Sequence, residues 1–476
     1  MINSSSQSKG KYLLKNIGLL TISSFGSKIL IFLLIPLYTS VLTTEEYGIY
    51  DLYTTTIQLV TPILTLNIAD SVMRFCMDKE YSNKTVVTIG VKQCSIAILS
   101  FACIVYVNKI FGFIPIFSQY STEFILLFVS GIIYSFLSQL SRGIEKVKAL
   151  AISGIINTVI LLLLNILFLV TFKLKLNGYF YAYILANIIS GSYLILATKA
   201  YKYFGRTNEY KTKKDMYAFS KPLILNNLAW WVNNVSDRYI VTWLCGIAAN
   251  GIYSVAYKIP SVLNTFQTIF SQAWTISAIK EYENNESEFY GRIYRIYNCG
   301  MTLVCSLLIV FNKPIAKILF ANEFYSAWKY APFLTESILF GSLSGLLGGI
   351  FSAAKNSKVF AKTTLIGASV NTILNYLLVK AWGPIGAAIA TLISYVIVWG
   401  ARLIEANKIV PLNVNLIRDI ISYILITAQA LVLNLLLDIN IEIIIQCSLF
   451  VFVFFLYIGE FRSLMGTIKS KFQRNK

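Results

Sequence analysis

The chain contains no histidine in 476 residues. Imidazole is the usual general base near neutral pH and the commonest metal ligand, so its absence removes both roles at once. Cysteine is scarce and odd in number. Cys76, Cys94, Cys103, Cys245, Cys299, Cys305 and Cys447 show no CxxC spacing and sit mostly in apolar runs, where they read as small hydrophobes. No GxxxxGK[ST] loop, HExxH pair or GxSxG elbow occurs, so no ATPase, zinc peptidase or serine hydrolase is signalled. Nothing calls for a cofactor or a metal. Charge is thin as well: Asp, Glu, Lys and Arg make up 13% of the chain and hydrophobic residues 56%, which excludes a soluble protein. The longest polar stretch, Lys199 to Lys221, is too short to bury a core of its own.

What is there instead is a succession of apolar runs. A hydrocarbon core of about 30 Å matches about 20 helical residues, whereas barrel strands alternate over about 10. The runs here are of the first kind, and they predict fourteen helices at about 13–40, 46–73, 85–107, 122–141, 149–172, 177–198, 219–243, 249–276, 294–311, 331–354, 360–380, 384–401, 416–437 and 443–460. The first follows Lys9, Lys11 and Lys15, is longer than a signal peptide's apolar segment and lacks an A-x-A site, so it is expected to remain as a span. The N-terminus, the even-to-odd loops and the C-terminus carry 30 of the 41 Lys and Arg residues, against 7 in the opposite loops. By the positive-inside rule both termini are expected in the cytoplasm. The net charge of +19 then reads as a collar facing anionic lipid, with no need for a nucleic acid partner.

The two halves repeat. GIY occurs at Gly48 to Tyr50 and at Gly251 to Tyr253, the segments around Glu123 and Glu336 align, GIINT (Gly154 to Thr158) pairs with GASVNT (Gly367 to Thr372), and Gly178 pairs with Gly386. The near-constant offset lays spans 1–6 over spans 7–12. Six is even, so the copies share an orientation, as parallel repeats of transporters do around a central cavity.

Ionisable residues at membrane depth are costly and mark functional candidates. The seventh span carries WWVNNVSDRYIVTW, Trp230 to Trp243. On a 3.6-residue wheel Asn227, Trp231, Asn234 and Arg238 share one face, and Asn226, Trp230, Asn233 and Asp237 the adjacent one, so the polar wedge is expected to face inward. Arg238 and Asp51 lie about five residues from the outer ends of their spans, or ~8 Å. Lys258 lies deeper, one turn beyond Ser254, and Lys28 near the mid-plane of the first span. The three cations suit an anion such as a pyrophosphate, to which Arg offers a fork and Lys a point charge. A structural pairing of Arg238 with Asp237 or Asp51 is the other reading. Mid-span tryptophan faces stack on sugar rings or pack helices. Asp70 and Arg74, at i and i+4, read as a local pair, and Glu123 and Glu336 as rim residues. Pro62 and Pro260 interrupt the second span of each half, as hinges or as static bends.

FGSKILIFLLIPLYTSVLTTEEYGIYDL (Phe25 to Leu52), SDRYIVTWLCGIAANGIYSVAYKIP (Ser236 to Pro260) and NTILNYLLVKAWGPIGAAIATLIS (Asn371 to Ser394) carry a resemblance that extends over nearly the whole chain. It resembles the polysaccharide repeat-unit flippases, the Wzx-type O-antigen and capsule translocases of the multidrug/oligosaccharidyl-lipid/polysaccharide exporter superfamily. The resemblance implies an all-α polytopic membrane protein with two pseudo-symmetric six-helix lobes, at 1–210 and 211–410, and two appended helices and a tail at 411–476. It implies a transporter rather than an enzyme, in a bacterial cytoplasmic membrane, moving an undecaprenyl-pyrophosphate-linked oligosaccharide between leaflets by alternating access. Membrane lipids, a polysaccharide polymerase and a chain-length regulator are the implied partners. On this reading Lys28, Lys258 and Arg238 hold the pyrophosphate, Asp237 and Asp51 set the resting charge, and the glycan lies beside Asn227, Asn234 and Trp231. In the related lipid II flippases the cavity cations are largely Arg, whereas two of the three here are Lys. A multidrug or cation antiporter, a lipid II flippase and a membrane glycan-processing enzyme are the alternatives.

Overall fold

A computed structural model describes residues 30, 32–205, 210–283, 287–354, 356–435 and 438–462. Among these residues every regular element is a helix. A short α1 (Ile35–Val41) ends just before Thr43, where the TTEE sequence closes a capping box. Thr43 Oγ1 accepts from the Glu46 amide at 3.1 Å while Glu46 Oε2 accepts from the Thr43 amide at 2.9 Å. The reciprocal bonds satisfy two orphan donors and fix the start of α2 (Thr44–Thr65).

Pro62 deprives α2 of one ladder donor near its end, and three residues later the helix breaks. Leu66 and Asn67 adopt left-handed φ angles of 54° and 52°, and α3 (Ile68–Cys76) departs at 60°. The break is held from outside: Gln93 Nε2 donates to the Leu64 carbonyl at 2.9 Å, and Gln93 Oε1 accepts from Tyr217 at 2.7 Å. The first unit continues through α4 (Asn83–Phe111), α5 (Ser121–Gly143), α6 (Val147–Asn165) with a π-helical extension Ile166–Thr171, and α7 (Lys175–Thr198).

The long α8 (Tyr210–Cys245) is followed by α9 (Ile247–Ala256) and α10 (Pro260–Glu283). Gly246, at φ 92°, supplies the single-residue reversal between α8 and α9 that an L side chain disfavours. Pro260, at the first position of α10, has no N–H to give to the preceding turn, so the span expected at 249–276 is two helices with Tyr257, Lys258 and Ile259 between them. Beyond it lie α11 (Ser287–Val310), a short α12 (Asn312–Leu319), α13 (Ala331–Ala353), α14 (Ser357–Trp382), α15 (Pro384–Ile409), α16 (Leu416–Leu433) and α17 (Ile439–Leu456).

Among the described residues nine helices are long and apolar enough to cross a membrane, and the bent α2–α3 pair makes a tenth. The protein is therefore a multi-pass membrane protein. Each expected span from 46–73 onward coincides with a helix or a broken pair of helices, and the first is described mainly through α1. The chain divides into two compact units, Met1–Trp231 and Val232–Lys476, with the boundary inside α8. In the second unit α16 and α17 dock through buried polar groups. Tyr423 Oη donates to Asn298 Oδ1 at 2.8 Å, Asn298 Nδ2 to Tyr457 Oη at 3.1 Å, and Ser306 Oγ to Gln429 Oε1 at 2.7 Å. Interhelical bonds of this kind contribute about 0.6 kcal/mol each in a membrane.

Candidate functional site

The polar wedge of the seventh span divides between the units. Its first part stitches α8 into the first unit: Ser71 Oγ donates to the Met216 carbonyl at 2.7 Å, Asn227 Nδ2 to Asn67 Oδ1 at 3.1 Å, and Trp231 Nε1 to the Thr55 carbonyl at 2.9 Å. Trp231 is thus buried at 9% exposure with its indole edge committed to α2, while its neighbour Trp230 is 61% exposed.

In the second unit the polar residues converge. Asp237 is 3% exposed. Its Oδ1 accepts from the Arg238 amide at 2.9 Å, and its Oδ2 accepts from Tyr253 at 2.8 Å and Tyr257 at 2.6 Å. Charge-assisted bonds from a buried phenol, Tyr253, and a half-buried one, Tyr257, hold the carboxylate in place. The Arg238 guanidinium lies over the Tyr257 ring, 5.3 Å from its centroid, in a cation–π contact. Lys258 follows Tyr257 directly in the break between α9 and α10, its amide donating to the Val255 carbonyl at 2.9 Å. α9 has ten residues, or about 15 Å, which is about half the thickness of a 30 Å hydrocarbon core. Asn234 Oδ1, one turn before Arg238, accepts from Tyr395 Oη at 2.8 Å.

The structure thus brings Arg238 and Asp237 of α8 against Tyr257, the residue before Lys258 in the α9–α10 break, with Asn234 one turn earlier on α8. Asp51 is buried within α2 of the first unit, and Asn227 and Trp231 are held in that unit. Lys28 lies outside the described residues. Two expectations need correction. Arg74 pairs with Asp78 at 3.7 Å, while Asp70 Oδ1 accepts from Gln139 at 2.6 Å, so the local pair is shifted by one turn. Glu336 is no rim residue: it is 1% exposed, and its Oε1 accepts from Thr427 at 2.6 Å.

Sequence reading missed three further residues. Tyr253 and Tyr257 were visible only as members of an apolar span, because a hydroxyl's partner is set by tertiary contact. Arg402 falls one residue past the expected end of the 384–401 span, yet α15 continues to Ile409 and buries it. The absence of a turn signal between Arg402 and Ile409 was the available clue.

Residues 13–279 match the family described as polysaccharide biosynthesis protein, more than half of the chain. The chain belongs to that family. Residues 222–377 of this polysaccharide biosynthesis family member also match the MatE family. A probable low-salt glycan biosynthesis flippase, Agl15 of Haloferax volcanii, is 23% identical over 196 residues, covering 40% of this chain and 41% of that protein. An uncharacterized membrane protein of Methanocaldococcus jannaschii, MJ1068, is 22% identical over 297 residues, covering 58% and 57%. The chain thus spans about half the length of the curated relatives it matches. Among solved structures, the lipid II flippase MurJ in an inward closed conformation superposes with a TM-score of 0.69 at 16% identity, covering 94% of this chain and 99% of that one. An inward-facing MATE multidrug resistance transporter of the MOP superfamily gives a TM-score of 0.67 at 12% identity, covering 80% and 95%. The fold of this family member is therefore the MOP exporter fold.

Proposed function

We propose that the chain is a flippase that moves an undecaprenyl-pyrophosphate-linked oligosaccharide repeat unit from the cytoplasmic to the outer leaflet of a bacterial cytoplasmic membrane, with both termini cytoplasmic, for O-antigen, capsule or similar polysaccharide synthesis. The observation that carries the reading is the break between α9 and α10, where the Arg238 guanidinium lies over the Tyr257 ring and Lys258 is the next residue in the chain. Broken helices are where transporters of repeated architecture bind ligands. An Arg and a Lys at such a break suit a dianionic headgroup, which neither an organic cation nor a neutral lipid supplies.

In this proposal Arg238 and Lys258 hold the pyrophosphate and Lys28 joins them on its sequence position. Asp237 and Asp51 set the resting charge of the site, and the glycan lies beside Asn227, Asn234 and Trp231. Transport proceeds by alternating access, and a polymerase and chain-length regulator take the product. The family match and the glycan flippase Agl15 support the substrate class. Multidrug export is the second reading, favoured by the MatE match at 222–377.

A deletion strain separates the two. Accumulation of lipid-linked repeat units on the cytoplasmic leaflet, with drug susceptibility unchanged, is the expected result. Normal leaflet distribution with raised drug susceptibility would replace the flippase reading by the efflux one.

A further inference from the structure

Arg402 has no part in the site described above. It is 6% exposed, inside α15, and its Nε, Nη1 and Nη2 each donate to a neutral acceptor. Nε donates to Thr363 Oγ1 at 3.0 Å, Nη1 to the Ser344 carbonyl at 2.9 Å and Nη2 to Thr364 Oγ1 at 2.9 Å. The guanidinium lies 4.3 Å from the centroid of the Phe360 ring. Glu405, the nearest acid in sequence, pairs instead with Lys408 at 2.7 Å, and among the described residues no carboxylate forms an ion pair with Arg402.

A full positive charge is therefore held in the bundle by dipoles and a ring face alone. Such burial costs several kcal/mol until a counter-charge arrives. A guanidinium carries five N–H donors, so one remains on each terminal nitrogen, the pair that makes a fork to a phosphate or carboxylate. Arg402 stands eighteen residues into α15, or ~27 Å from its start, which the charge-based orientation places near the cytoplasmic end of the span. The exposed Lys358 and Lys362 lie on α14 just before Thr363. Seven residues earlier on α15, Tyr395 bonds Asn234 at 2.8 Å and is within electrostatic reach of Asp237 on one side and Arg402 on the other. A polar track thus runs within the second unit from Arg402 through Tyr395 and Asn234 to Asp237 and Arg238.

We propose that Arg402 is a loading station for the phosphate-bearing headgroup of the lipid substrate, engaged at the cytoplasmic end of the second unit before Arg238 and Lys258. The inference rests on the pyrophosphate reading above. Its ligand chemistry is a phosphate mono- or diester on a lipid, supplied either by the substrate or by bulk anionic phospholipid, and the proposal commits to the substrate.

The test uses the purified full-length protein in lipid nanodiscs, titrated with farnesyl pyrophosphate, farnesol and phosphatidylglycerol by calorimetry. The expected result is that Arg402→Gln and Lys258→Gln each weaken farnesyl pyrophosphate at least tenfold and leave farnesol unchanged. Arg402→Lys, which keeps the charge but not the fork, should weaken it three- to fivefold, and it decides the matter if Arg402→Gln elutes as aggregate. Wild-type affinity in Arg402→Gln beside a weakened Lys258→Gln would overturn the loading station and leave the proposed function standing. Failure of the wild type to bind farnesyl pyrophosphate would overturn both, and equal competition by phosphatidylglycerol would reassign Arg402 to bulk lipid.

Discussion

The same three residues, Gly-Ile-Tyr, stand near the start of the second helix in each half, and the two tyrosines do different work. Tyr50 of α2 packs among aromatic rings, 4.1 Å from Tyr179 and 5.6 Å from Tyr183 between centroids. Tyr253 of α9 donates to the Asp237 carboxylate at 2.8 Å. The helices differ as well. From the capping box α2 runs 22 residues, through Pro62, before it breaks, whereas α9 breaks after 10. A repeat fixes where helices begin and which way they run. It leaves the position of the break and its polar partners to be set separately in each copy, and in the second copy Tyr257, at the break, bonds the Asp237 carboxylate and underlies the Arg238 guanidinium.

The largest expected effect tests whether function follows that asymmetry. Arg238→Ala and Lys258→Ala should each abolish export, a loss of at least about a hundredfold or ~2.7 kcal/mol. Tyr50→Phe should stay within about twofold on the same scale. Surface polysaccharide measured against immunoblotted membrane protein reads this out, and full export in either cation variant removes the pyrophosphate from the second half.

Next come the paired glycines. A Cβ on Gly386 would lie 2.1 Å from the Leu378 carbonyl oxygen, while one on Gly178 would meet the Leu174 and Phe168 Cβ atoms at 3.0 Å. Gly386→Ala should therefore cost about 2–3 kcal/mol and Gly178→Ala about 1 kcal/mol, as shifts in thermal unfolding in detergent. Equal shifts would mean that α14 and α15 separate more easily than their contact suggests.

The prolines sharpen the comparison. Pro260→Ala restores a donor to the α9–α10 break and should lower transport about fivefold, or ~1 kcal/mol, without loss of thermal stability. Pro62→Ala acts where the helix already continues and should change transport by less than about twofold. A larger effect at Pro62 would relocate the moving joint to the first half. Smallest of all, Tyr253→Phe should cost about 1 kcal/mol of unfolding free energy through the lost bond to Asp237, and Tyr50→Phe about half of that. Matching values would make the two tyrosines equivalent after all.

Much of the fold was legible in the sequence because hydrocarbon thickness translates directly into run length, and because Pro260 is a local signal that needs no tertiary context; the capping box of Thr43 with Glu46 and the turn at Gly246 are equally local and went unread. The repeat was legible for the same reason: GIY and the paired glycines serve backbone geometry. The site was legible only as a composition of one span. Which of Trp230 and Trp231 turns inward depends on the Thr55 carbonyl, far away in sequence, and the partners of Asp237 come from a different helix. Glu336 and Arg402 escaped because a charge near a predicted span end reads as solvated, whereas tertiary packing buries Glu336 in the first turns of α13 and α15 runs past its expected end and buries Arg402.

The pair Gln429 and Gln446 has a practical consequence. Gln446 Nε2 donates to the Gln429 carbonyl at 2.8 Å, and Gln429 Nε2 returns a bond to the Gln446 carbonyl at 3.3 Å. Two amides crossed in this way act like a two-pin connector: α17 can neither slide nor rotate by one residue against α16 without breaking both. A fluorophore or spin label placed on the outward face of α17, at Ile444 or Phe452, would therefore act as a fixed flag on the second unit. Single-molecule distance traces from such a flag would record that unit's excursions, with little contribution from the last helix wandering by itself.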